Sequence, residues 1–386
     1  MKPTGPRKEL PHESTDTHRR AWRRNDIHMR LRRSAKSGTH FEQGQITAIT
    51  SPTREKRENV ARQYDIPRTF ASLDEMLAGA DIDAVLNLTP IPEHDWTSKR
   101  ILEAGKHLVT EKPITATIEA ASELIDLARS KDLLIISSPP RMVDPTRIVA
   151  KRLIQEGAIG QVAFAKVRSS HAGPAAMSWP SDPAWSYQQG AGPLLDLGVY
   201  GLQEITGILG PARRVTAVAG QLTRTRTVVG GSHAGAVIPV TTDDNILITL
   251  DFGNAVFAQV DCTFSVRASQ SPPVEIFGLD GTIVIHESTG EGPRIELYRA
   301  DTTTGKGEWI DPFTEKDYEL WRRNYSLQRA VLLDHLVTCL DTGQPPVLSA
   351  EHARHTLEIM LAAQRSAIEE RVVALTTTFG LTTQPN

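Results

Sequence analysis

The chain has 386 residues, 39% of them apolar, and a formal net charge of −3 at pH 7. This length favours two domains over one, and the small net charge gives no overall attraction to nucleic acid or to an anionic membrane. The two cysteines, Cys262 and Cys339, form no CxxC pair, so we expect a cytoplasmic protein without a disulfide framework or a metal site. No apolar stretch reaches the roughly 18 residues that a membrane-spanning helix needs.

Residues 1–43 differ from the rest of the chain because they are rich in arginine and lack a regular apolar pattern. The first 40 residues contain eleven Lys and Arg and four Asp and Glu, a formal charge of about +7. Three interpretations remain open: a solvated extension, a basic arm that contacts nucleic acid or acidic lipid, or a segment foreign to the fold that follows. Because charge runs are usually just solvated, we expect no nucleic-acid partner and no membrane contact.

Residues 44–140 alternate between predicted strands and predicted amphipathic helices. The strands are predicted at 44–51, 81–90, 107–113 and 133–140, and the helices at 52–66, 93–106 and 117–132. Such alternation indicates a parallel sheet with right-handed crossovers. In sheets of this kind, ligands bind at the carboxyl ends of the strands.

Polar clusters stand at three of these predicted strand ends. The clusters are Ser51 with Arg54, Thr89–Pro90 with His94, and Glu111–Lys112–Pro113. Each cluster alone is compatible with an ordinary strand-to-helix turn. Because all three occupy equivalent positions, they indicate a ligand site along one edge of the sheet.

Residues 141–386 show a different pattern, in which alternating strands follow one another with turn residues between them. Hairpin turns are predicted at 252–254 and 280–281, and the long closing helices at 326–343 and 350–370. We therefore predict a second domain with a large, open, mostly antiparallel sheet, whose solvated face suits substrate binding or subunit pairing.

The stretch "GAGPLLDLGVYGLQ" places a carboxylate and a phenol four residues apart, Asp196 and Tyr200, and therefore on one face of a helix. Gly198 and Gly201 leave room there for a close neighbour. A carboxylate, a phenol and a nearby ammonium can move a proton on a hydroxyl or a carbonyl. Alternatively, Tyr200 is a core aromatic residue and Asp196 a capping or surface acid.

These motifs carry a resemblance. "LTPIPEHDW", "LEAGKHLVTEKP", "GAGPLLDLGVYGLQ" and "VLSAEHARHTLEIMLAAQRSA" resemble segments of the glucose–fructose oxidoreductase, inositol dehydrogenase and MocA (Gfo/Idh/MocA) family, over about residues 44–372. The resemblance implies a Rossmann domain, an α/β domain with an open antiparallel sheet, and a homodimer or homotetramer. It also implies a dehydrogenase or reductase that uses NAD or NADP on a sugar-like or cyclic alcohol.

The resemblance also implies roles for individual residues. Lys112 corresponds to the catalytic lysine, Tyr200 to the proton donor and Asp196 to the acid of the second motif. The cofactor would be lined by Thr89, Pro90, His94, Glu111, Lys112 and Pro113, with Pro113 fixing the turn. Candidates for binding a sugar are Arg168, His171, Trp179 and Trp185, although such side chains also pack and pair structurally.

Ser51 and Arg54 favour NADP over NAD as the cofactor. The corresponding strand of a Rossmann unit normally ends on an acid that binds the ribose hydroxyls. A hydroxyl with a guanidinium close behind would instead accept a 2′-phosphate, so we expect NADP, with NAD possible. Alternatively, Arg54 is a solvated residue on a helix surface.

The chain departs from the family at its start. The only glycines in residues 1–43 are Gly5 and Gly38, and neither follows an apolar strand, so we predict no first strand and no GxGxxG loop. The predicted domains are a basic segment (1–43), an incomplete Rossmann-type domain (44–140), and a substrate and oligomerisation domain (141–386) whose last helices can pack back on the first. Either the chain is an inactive relative that acts as a binding or structural protein, or its first 43 residues come from a misplaced start or a shifted reading frame.

Overall fold

The structure, a computed structural model, describes residues 26–31, 44–179, 181–287, 292–301, 303–327 and 330–381, with only the backbone of 26–31. It contains a six-stranded sheet, a two-stranded sheet and a nine-stranded sheet. The predicted fold class is confirmed, because a Rossmann-type sheet precedes a large, mostly antiparallel sheet. Across these residues, no helix has the length and the apolar character that crossing a bilayer requires.

The first sheet lies in the N-terminal half of the chain. Its strands are Asp26–Leu31 (β1), Gly44–Thr50 (β2), Arg68–Phe70 (β3), Ala84–Asn87 (β4), His107–Thr110 (β5) and Ile135–Ser137 (β6). The helices that follow β2 to β5 are Arg54–Gln63 (α1), Leu73–Gly79 (α2), His94–Glu103 (α3) and Ile118–Ser130 (α4). The sequence analysis assigned no element to β3 and α2, which have only three and seven residues.

The prediction that residues 1–43 contain no strand was wrong. The spatial order is β3-β2-β1-β4-β5-β6, so β1 occupies the centre of the sheet, where a Rossmann fold has its first strand. However, β1 runs antiparallel to both neighbours, while the other five strands are parallel to one another. The segment "DIHMRL" alternates apolar and polar residues, a strand pattern that the surrounding arginines obscured.

The direction of β1 determines which end of this strand lies at the ligand edge of the sheet. Asp26 pairs with Thr50 at the carboxyl end of β2, whereas Leu31 pairs with Gly44 at the opposite end. In a Rossmann fold, the first strand leads into the phosphate-binding loop at the ligand edge. Here the chain leaves β1 at the edge that lies away from the ligand side.

The second domain is built on the nine-stranded sheet. Its elements are Pro145–Gln155 (α5), Val162–Arg168 (β7), Val199–Leu209 (α6), Arg214–Gly220 (β8), Thr225–Thr227 (β9), Val237–Pro239 (β10), Asn245–Gly253 (β11), Val256–Thr263 (β12), Val274–Gly278 (β13), Gly281–Ile285 (β14), Ile295–Ala300 (β15), Gly307–Ile310 (β16), Glu315–Leu327 (α7), Val331–Thr342 (α8), Ala350–Glu369 (α9) and Val373–Ala374 (β17). The order is β16-β15-β14-β13-β7-β12-β11-β8-β17, and only the β7–β12 pair is parallel. Strands β9 and β10 form the separate two-stranded sheet.

One face of the large sheet is covered by helices, and the other is open. Along β11, buried Ile246, Ile248 and Leu250 alternate with exposed residues. Phe164 and Phe257, neighbours across β7 and β12, are 41% and 44% exposed on the open face. This apolar surface is available for pairing with another sheet.

Helices α8 and α9 lie against the first sheet. Between them, the Ser137 amide donates to the Leu348 carbonyl (3.0 Å), and Ile136 forms an isolated bridge with Ser349. The Ser349 hydroxyl then caps α9 by accepting from the His352 amide (3.2 Å). The C-terminal helices therefore help to close the domain that carries the ligand edge.

Three buried histidines hold these helices in place. His352 bonds the Thr206 hydroxyl (2.8 Å), His355 accepts from the Ala212 amide (3.0 Å), and His335 accepts from the Val347 amide (3.1 Å). Burial lowers the pKa of His352 to about 3 and the pKa of His335 and His355 to about 4. All three are therefore neutral in the folded protein at neutral pH.

We expect the protein to lose stability as the pH falls from 6.5 toward 4. The unfolded chain protonates these histidines below their ordinary pKa of about 6.5, whereas the folded chain does not, so each contributes about 1.4 kcal/mol of lost stability per pH unit. Replacing His352 with glutamine should reduce the slope of the unfolding free energy against pH by the contribution of one proton, about 1.4 kcal/mol per pH unit. Urea unfolding between pH 7 and about 4.5 measures this slope.

The exposed His233 provides a control, because H233Q should leave the slope unchanged. An H352Q slope equal to that of the wild type would show that His352 does not resist protonation in the folded state.

Candidate active site

The carboxyl ends of β4, β5 and β6 lie side by side because these strands are parallel and adjacent. After β5, the chain turns through Glu111, Lys112 and Pro113, and the Lys112–Pro113 peptide is cis. The Glu111 carboxylate accepts from the Lys112 amide (3.2 Å), which folds the turn back on itself. The lysine side chain therefore leaves the edge of the first sheet toward the second domain.

A buried amide fixes the neighbouring loop after β4. Asn87 donates to the hydroxyls of Thr97 (2.8 Å) and Ser98 (3.0 Å) on α3. Its carbonyl oxygen accepts from the Thr89 amide (3.2 Å) and hydroxyl (2.8 Å). With its amide group bonded on both sides, Asn87 holds the Thr89–Pro90 loop against the start of α3.

His94 joins two of the predicted clusters. One ring nitrogen contacts the Pro113 carbonyl oxygen (2.7 Å) and the other the Thr89 carbonyl oxygen (2.8 Å). The His94 ring is only 1% exposed and both of its nitrogens contact backbone carbonyls, so it presents no free nitrogen to a ligand. The turns after β4 and β5 are therefore held at a fixed separation.

Lys112 forms the central contact between the two domains. Its ammonium donates to a carboxylate oxygen of Asp196 (2.7 Å) and to the backbone carbonyl of the same residue (2.7 Å). The two side chains are 12% and 16% exposed. An ammonium has three N–H donors, so the third remains for a ligand.

The surroundings of Lys112 keep it charged. Burial alone would lower the pKa of its ammonium, but Tyr200, Asp196 and Glu111 more than offset that effect and raise the pKa above its ordinary value. Lys112 therefore acts at neutral pH as a positively charged donor rather than as a base.

Two cations lie close to the ring of Tyr200. The Lys112 ammonium is 5.3 Å and the Arg141 guanidinium carbon 5.2 Å from its centroid, within the range of cation–π attraction. Arg141 lies 3.9 Å from the buried carboxylate of Glu204, which is itself held by Arg147 at 2.8 Å. The ring of Tyr200 is therefore held next to two positively charged side chains.

His171 is the third polar group near this pair. Its Nδ1 accepts from the Gly173 amide (2.8 Å), so Nε2 carries the ring proton, and the ring stacks on Phe264. Burial lowers the pKa of His171, and the charge of Lys112 lowers it further, although Asp196 opposes both. His171 is therefore a neutral imidazole with an available N–H donor.

Two family profiles match this chain. A profile described as "Oxidoreductase family, NAD-binding Rossmann fold" matches residues 26–138, and one described as "GFO/IDH/MocA C-terminal domain" matches residues 148–284. The chain belongs to the Gfo/Idh/MocA oxidoreductase family. One match lies in each domain, and the Lys112–Asp196 contact joins a residue of the first match to a residue of the second.

Several relatives in this family carry dehydrogenase names. The chain is 25% identical to trans-1,2-dihydrobenzene-1,2-diol dehydrogenase of Danio rerio over 63% of this chain and 67% of that protein. It is 26% identical to levoglucosan dehydrogenase of Pseudarthrobacter phenanthrenivorans over 62% of this chain and 64% of that protein. An uncharacterized oxidoreductase of Synechocystis is 27% identical over 64% of this chain and 66% of its own length. The chain thus spans about two thirds of the length of these relatives.

Solved structures share the fold. Levoglucosan dehydrogenase in complex with NADH and L-sorbose matches with a TM-score of 0.74 and 21% identity, over 86% of this chain and 90% of that one. Aldose-aldose oxidoreductase from Caulobacter crescentus matches with a TM-score of 0.66 and 22% identity, over 86% and 92%. At these identities, the structures show the common Gfo/Idh/MocA architecture.

The residues predicted to select NADP lie at the carboxyl end of β2. Ser51 is buried, and its carbonyl accepts from the Arg57 guanidinium (3.1 Å). Arg54 is exposed and pairs with Glu58 (2.7 Å), an acid that a bound phosphate would have to displace. Arg57, which the sequence analysis did not select, is therefore the cation that already faces the strand end.

The predicted sugar-binding residues do not all reach the Lys112 cluster. Arg168 lies on the open face of β7, on the other side of the sheet from Ser169, and its guanidinium donates to the carbonyls of Ser271 and Pro272. Trp179 and Trp185 lie on a segment whose backbone approaches the β9–β10 region. Of the four candidates, the structure brings His171 to the cluster.

The sequence analysis did not select Asn87, Arg57, Arg141 and Ser169, whose partners lie between two and about sixty residues away. Their sequence surroundings carry no motif that we recognised, and only the packed structure reveals their partners. Among the described residues, no group of His, Cys, Asp and Glu could hold a metal ion.

Replacing Asp196 with asparagine should lower the pKa of Lys112. The substitution removes the carboxylate that favours the ammonium and leaves the burial that opposes it. At a pH below the wild-type pKa of Lys112, this lysine should therefore react with an amine-modifying reagent about tenfold faster in D196N than in the wild type. Mass spectrometry of the peptide that contains Lys112 measures the rate.

Asp182 is exposed and its carboxylate accepts from the Ala184 amide (2.9 Å), so D182N serves as the control and should leave the rate unchanged. An equal Lys112 rate in D196N and wild type would show that the ion pair does not form in solution.

Proposed function

We propose that this protein is an NADP-dependent cytoplasmic oxidoreductase that acts on a hydroxyl or carbonyl of a sugar-like or cyclic alcohol. The observation that carries the proposal is the Lys112 ammonium, which is held between Asp196 and Tyr200 at the carboxyl end of a Rossmann-type sheet. This arrangement offers one free N–H donor and one phenol to the same ligand oxygen.

Asp196, Lys112 and Tyr200 have different roles at the reacting oxygen of the substrate. Asp196 holds Lys112 in its charged form and in position, and the third N–H of Lys112 donates to the substrate oxygen. Stabilising negative charge that develops there lowers the barrier. Tyr200 then transfers the proton to or from the same oxygen.

The nicotinamide end of a dinucleotide site fits the residues present. The turns carrying Thr89 and Pro113 are fixed to each other through His94, and Glu111 borders them. At the adenosine end, Ser51, Arg54 and Arg57 supply a hydroxyl and two cations, which suits a 2′-phosphate once Glu58 releases Arg54. When bound, the nicotinamide supplies the acceptor or donor of hydride; the chain supplies binding, orientation and the proton.

The substrate class rests on the relatives. One is named for a ring diol, trans-1,2-dihydrobenzene-1,2-diol, and another for levoglucosan. His171, with its free Nε2–H beside the Lys112–Asp196 pair, is the candidate to bind a second hydroxyl of such a ring.

A second function is favoured by one observation, the reversed strand β1. Because β1 runs antiparallel to its neighbours, Asp26 lies at the ligand edge and Leu31 at the opposite edge, so the strand does not lead toward the place where the pyrophosphate would lie. In that case the chain is a relative that retains the fold and the lysine turn but acts by binding rather than by catalysis.

An NADPH fluorescence titration, with NADH beside it, separates these two functions. We expect a micromolar dissociation constant and at least about tenfold preference for NADPH, because a charge-assisted contact to the 2′-phosphate contributes that much. R57Q should reduce the preference for NADPH over NADH, whereas R62Q, at an exposed residue of α1, should leave this preference unchanged. Absence of binding would favour the non-catalytic function.

Lys112→Met tests the role of the lysine once a turnover substrate is found among cyclic diols and sugars. We expect kcat/KM to fall about 10²–10³-fold because the variant loses the charge that stabilises the substrate oxygen. Lys99→Met, at an exposed ion pair on α3, should behave as the wild type. Turnover that survives K112M would contradict the mechanism.

We further propose that the protein forms a homodimer or homotetramer through the open face of the large sheet. The paired Phe164 and Phe257 are supported there by Phe277, which stacks on Phe164 at 4.6 Å between ring centroids. A contiguous apolar surface of this kind is stabilised by covering it.

Phe164→Glu should dissociate the assembly, because a carboxylate would be buried without a partner in the interface. Light scattering coupled to size exclusion should show a lower mass for the variant than for the wild type. Leu279→Glu, at a residue that is more exposed than Phe164 and lies at the β13–β14 turn, should keep the wild-type mass. A monomeric wild type would contradict the proposal.

A further inference from the structure

The helix that carries the site begins with an irregular turn. Residues Leu194–Gly198 form a π turn, in which backbone bonds close over five residues instead of four, and α6 continues from Val199. Asp196 lies inside the π turn and Tyr200 in the α-helix. The two residues therefore do not follow the regular α-helical spacing that the sequence predicted.

One serine, which directly follows β7, contacts the backbone of this π turn. Ser169 directly follows β7, is 8% exposed, and donates its hydroxyl hydrogen to the Leu197 carbonyl. The same hydroxyl oxygen accepts from the Gly201 amide (3.1 Å). In a regular α-helix, the carbonyl of residue 197 would accept from the amide of residue 201 directly. The Ser169 hydroxyl is thus inserted between two groups that would otherwise bond each other.

Two glycines allow this close approach. A Cβ on Gly201 would lie 2.8 Å from a Val167 methyl carbon and 3.0 Å from the Ser169 Cβ, and a Cβ on Gly198 would lie 2.9 Å from the Cys262 sulfur. The helix start is therefore pressed against β7 and β12, close enough for a side chain as short as serine to reach its backbone.

The inserted hydroxyl affects the position of Asp196. In a regular helix, the Asp196 carbonyl would point along the axis toward the amide of residue 200. In the widened turn, this carbonyl accepts from the Lys112 ammonium, together with the carboxylate of the same residue. The site thus presents two oxygens of one residue to one lysine.

We propose that Ser169 is a positioning residue, which keeps the π turn open and thereby aims both oxygens of Asp196 at Lys112. The proposal rests on the function proposed above only for its kinetic consequence, since the geometry it describes is independent of turnover. In the absence of the hydroxyl, Leu197 and Gly201 can bond directly, which would close the turn and rotate Asp196.

Ser169→Ala tests this, with Ser170→Ala as a matched control. Ser170 is the next residue, and its hydroxyl also makes two bonds, to the Asp261 carboxylate and from the Thr263 amide (2.9 Å), without contact to α6. Both variants lose one hydroxyl and two hydrogen bonds, so we expect similar losses of thermal stability.

Lys112 reactivity distinguishes the two variants. We expect the Lys112 amine in S169A to be modified several-fold faster than in wild type and S170A, approaching the D196N rate, because its contact with Asp196 weakens. Equal Lys112 reactivity in S169A and S170A would overturn the proposal, whatever the protein is found to catalyse.

Kinetics provide a second, separate readout where a substrate is turned over. In S169A we expect kcat to fall at least about tenfold with the KM for NADPH unchanged, and partial recovery in S169C, which keeps the size and a weak donor. Equal kcat in S169A and S170A would also overturn it. Failure of cofactor binding in the wild type would remove the oxidoreductase function but leave the reactivity result decisive for Ser169.

Discussion

The ion pair between Lys112 and Asp196 is the contact on which the proposed chemistry depends. It joins the last residues of a parallel strand in one domain to the start of a helix in the other, and it is largely withdrawn from solvent. A buried pair of this kind stabilises only if its remaining donors and acceptors are satisfied. Here two of the three lysine donors are bonded to Asp196, and the third is what the fold offers to a ligand.

The supports of this pair come from both sides. On the first-domain side, Asn87 and His94 fix the turns after β4 and β5 through bonds to backbone groups. On the second-domain side, Ser169 opens the helix start, and Glu204 places Arg141 near Tyr200. Such groups reduce the motion of the lysine and the phenol, so less reorganisation is needed when charge develops on a bound oxygen.

The sequence predicted those parts of the site that lie in local motifs. Glu111–Lys112–Pro113 was found because an acid, a lysine and a proline end a predicted strand, and Asp196 and Tyr200 because they are four apart. The sequence could not show which face of β7 Arg168 occupies, because successive side chains of a strand point to opposite faces and Arg168 lies on the face opposite Ser169. Ser169 could not be selected, since its partners are about 30 residues away, and Asn87 stood in no motif although one of its partners, Thr89, is close in sequence. Strand β1 was missed because its short alternation lies among arginines.

The reversed central strand also changes how the first sheet can form. A parallel β1 would reach β2 only through a crossover helix, whereas antiparallel β1 and β2 are consecutive in sequence and pair as a hairpin, Leu31 opposite Gly44. Pairing that is local in sequence requires less loop closure and forms sooner than pairing across a crossover. The pairing of β1 with β2 at the centre of this sheet therefore closes a shorter stretch of chain than a parallel crossover would need.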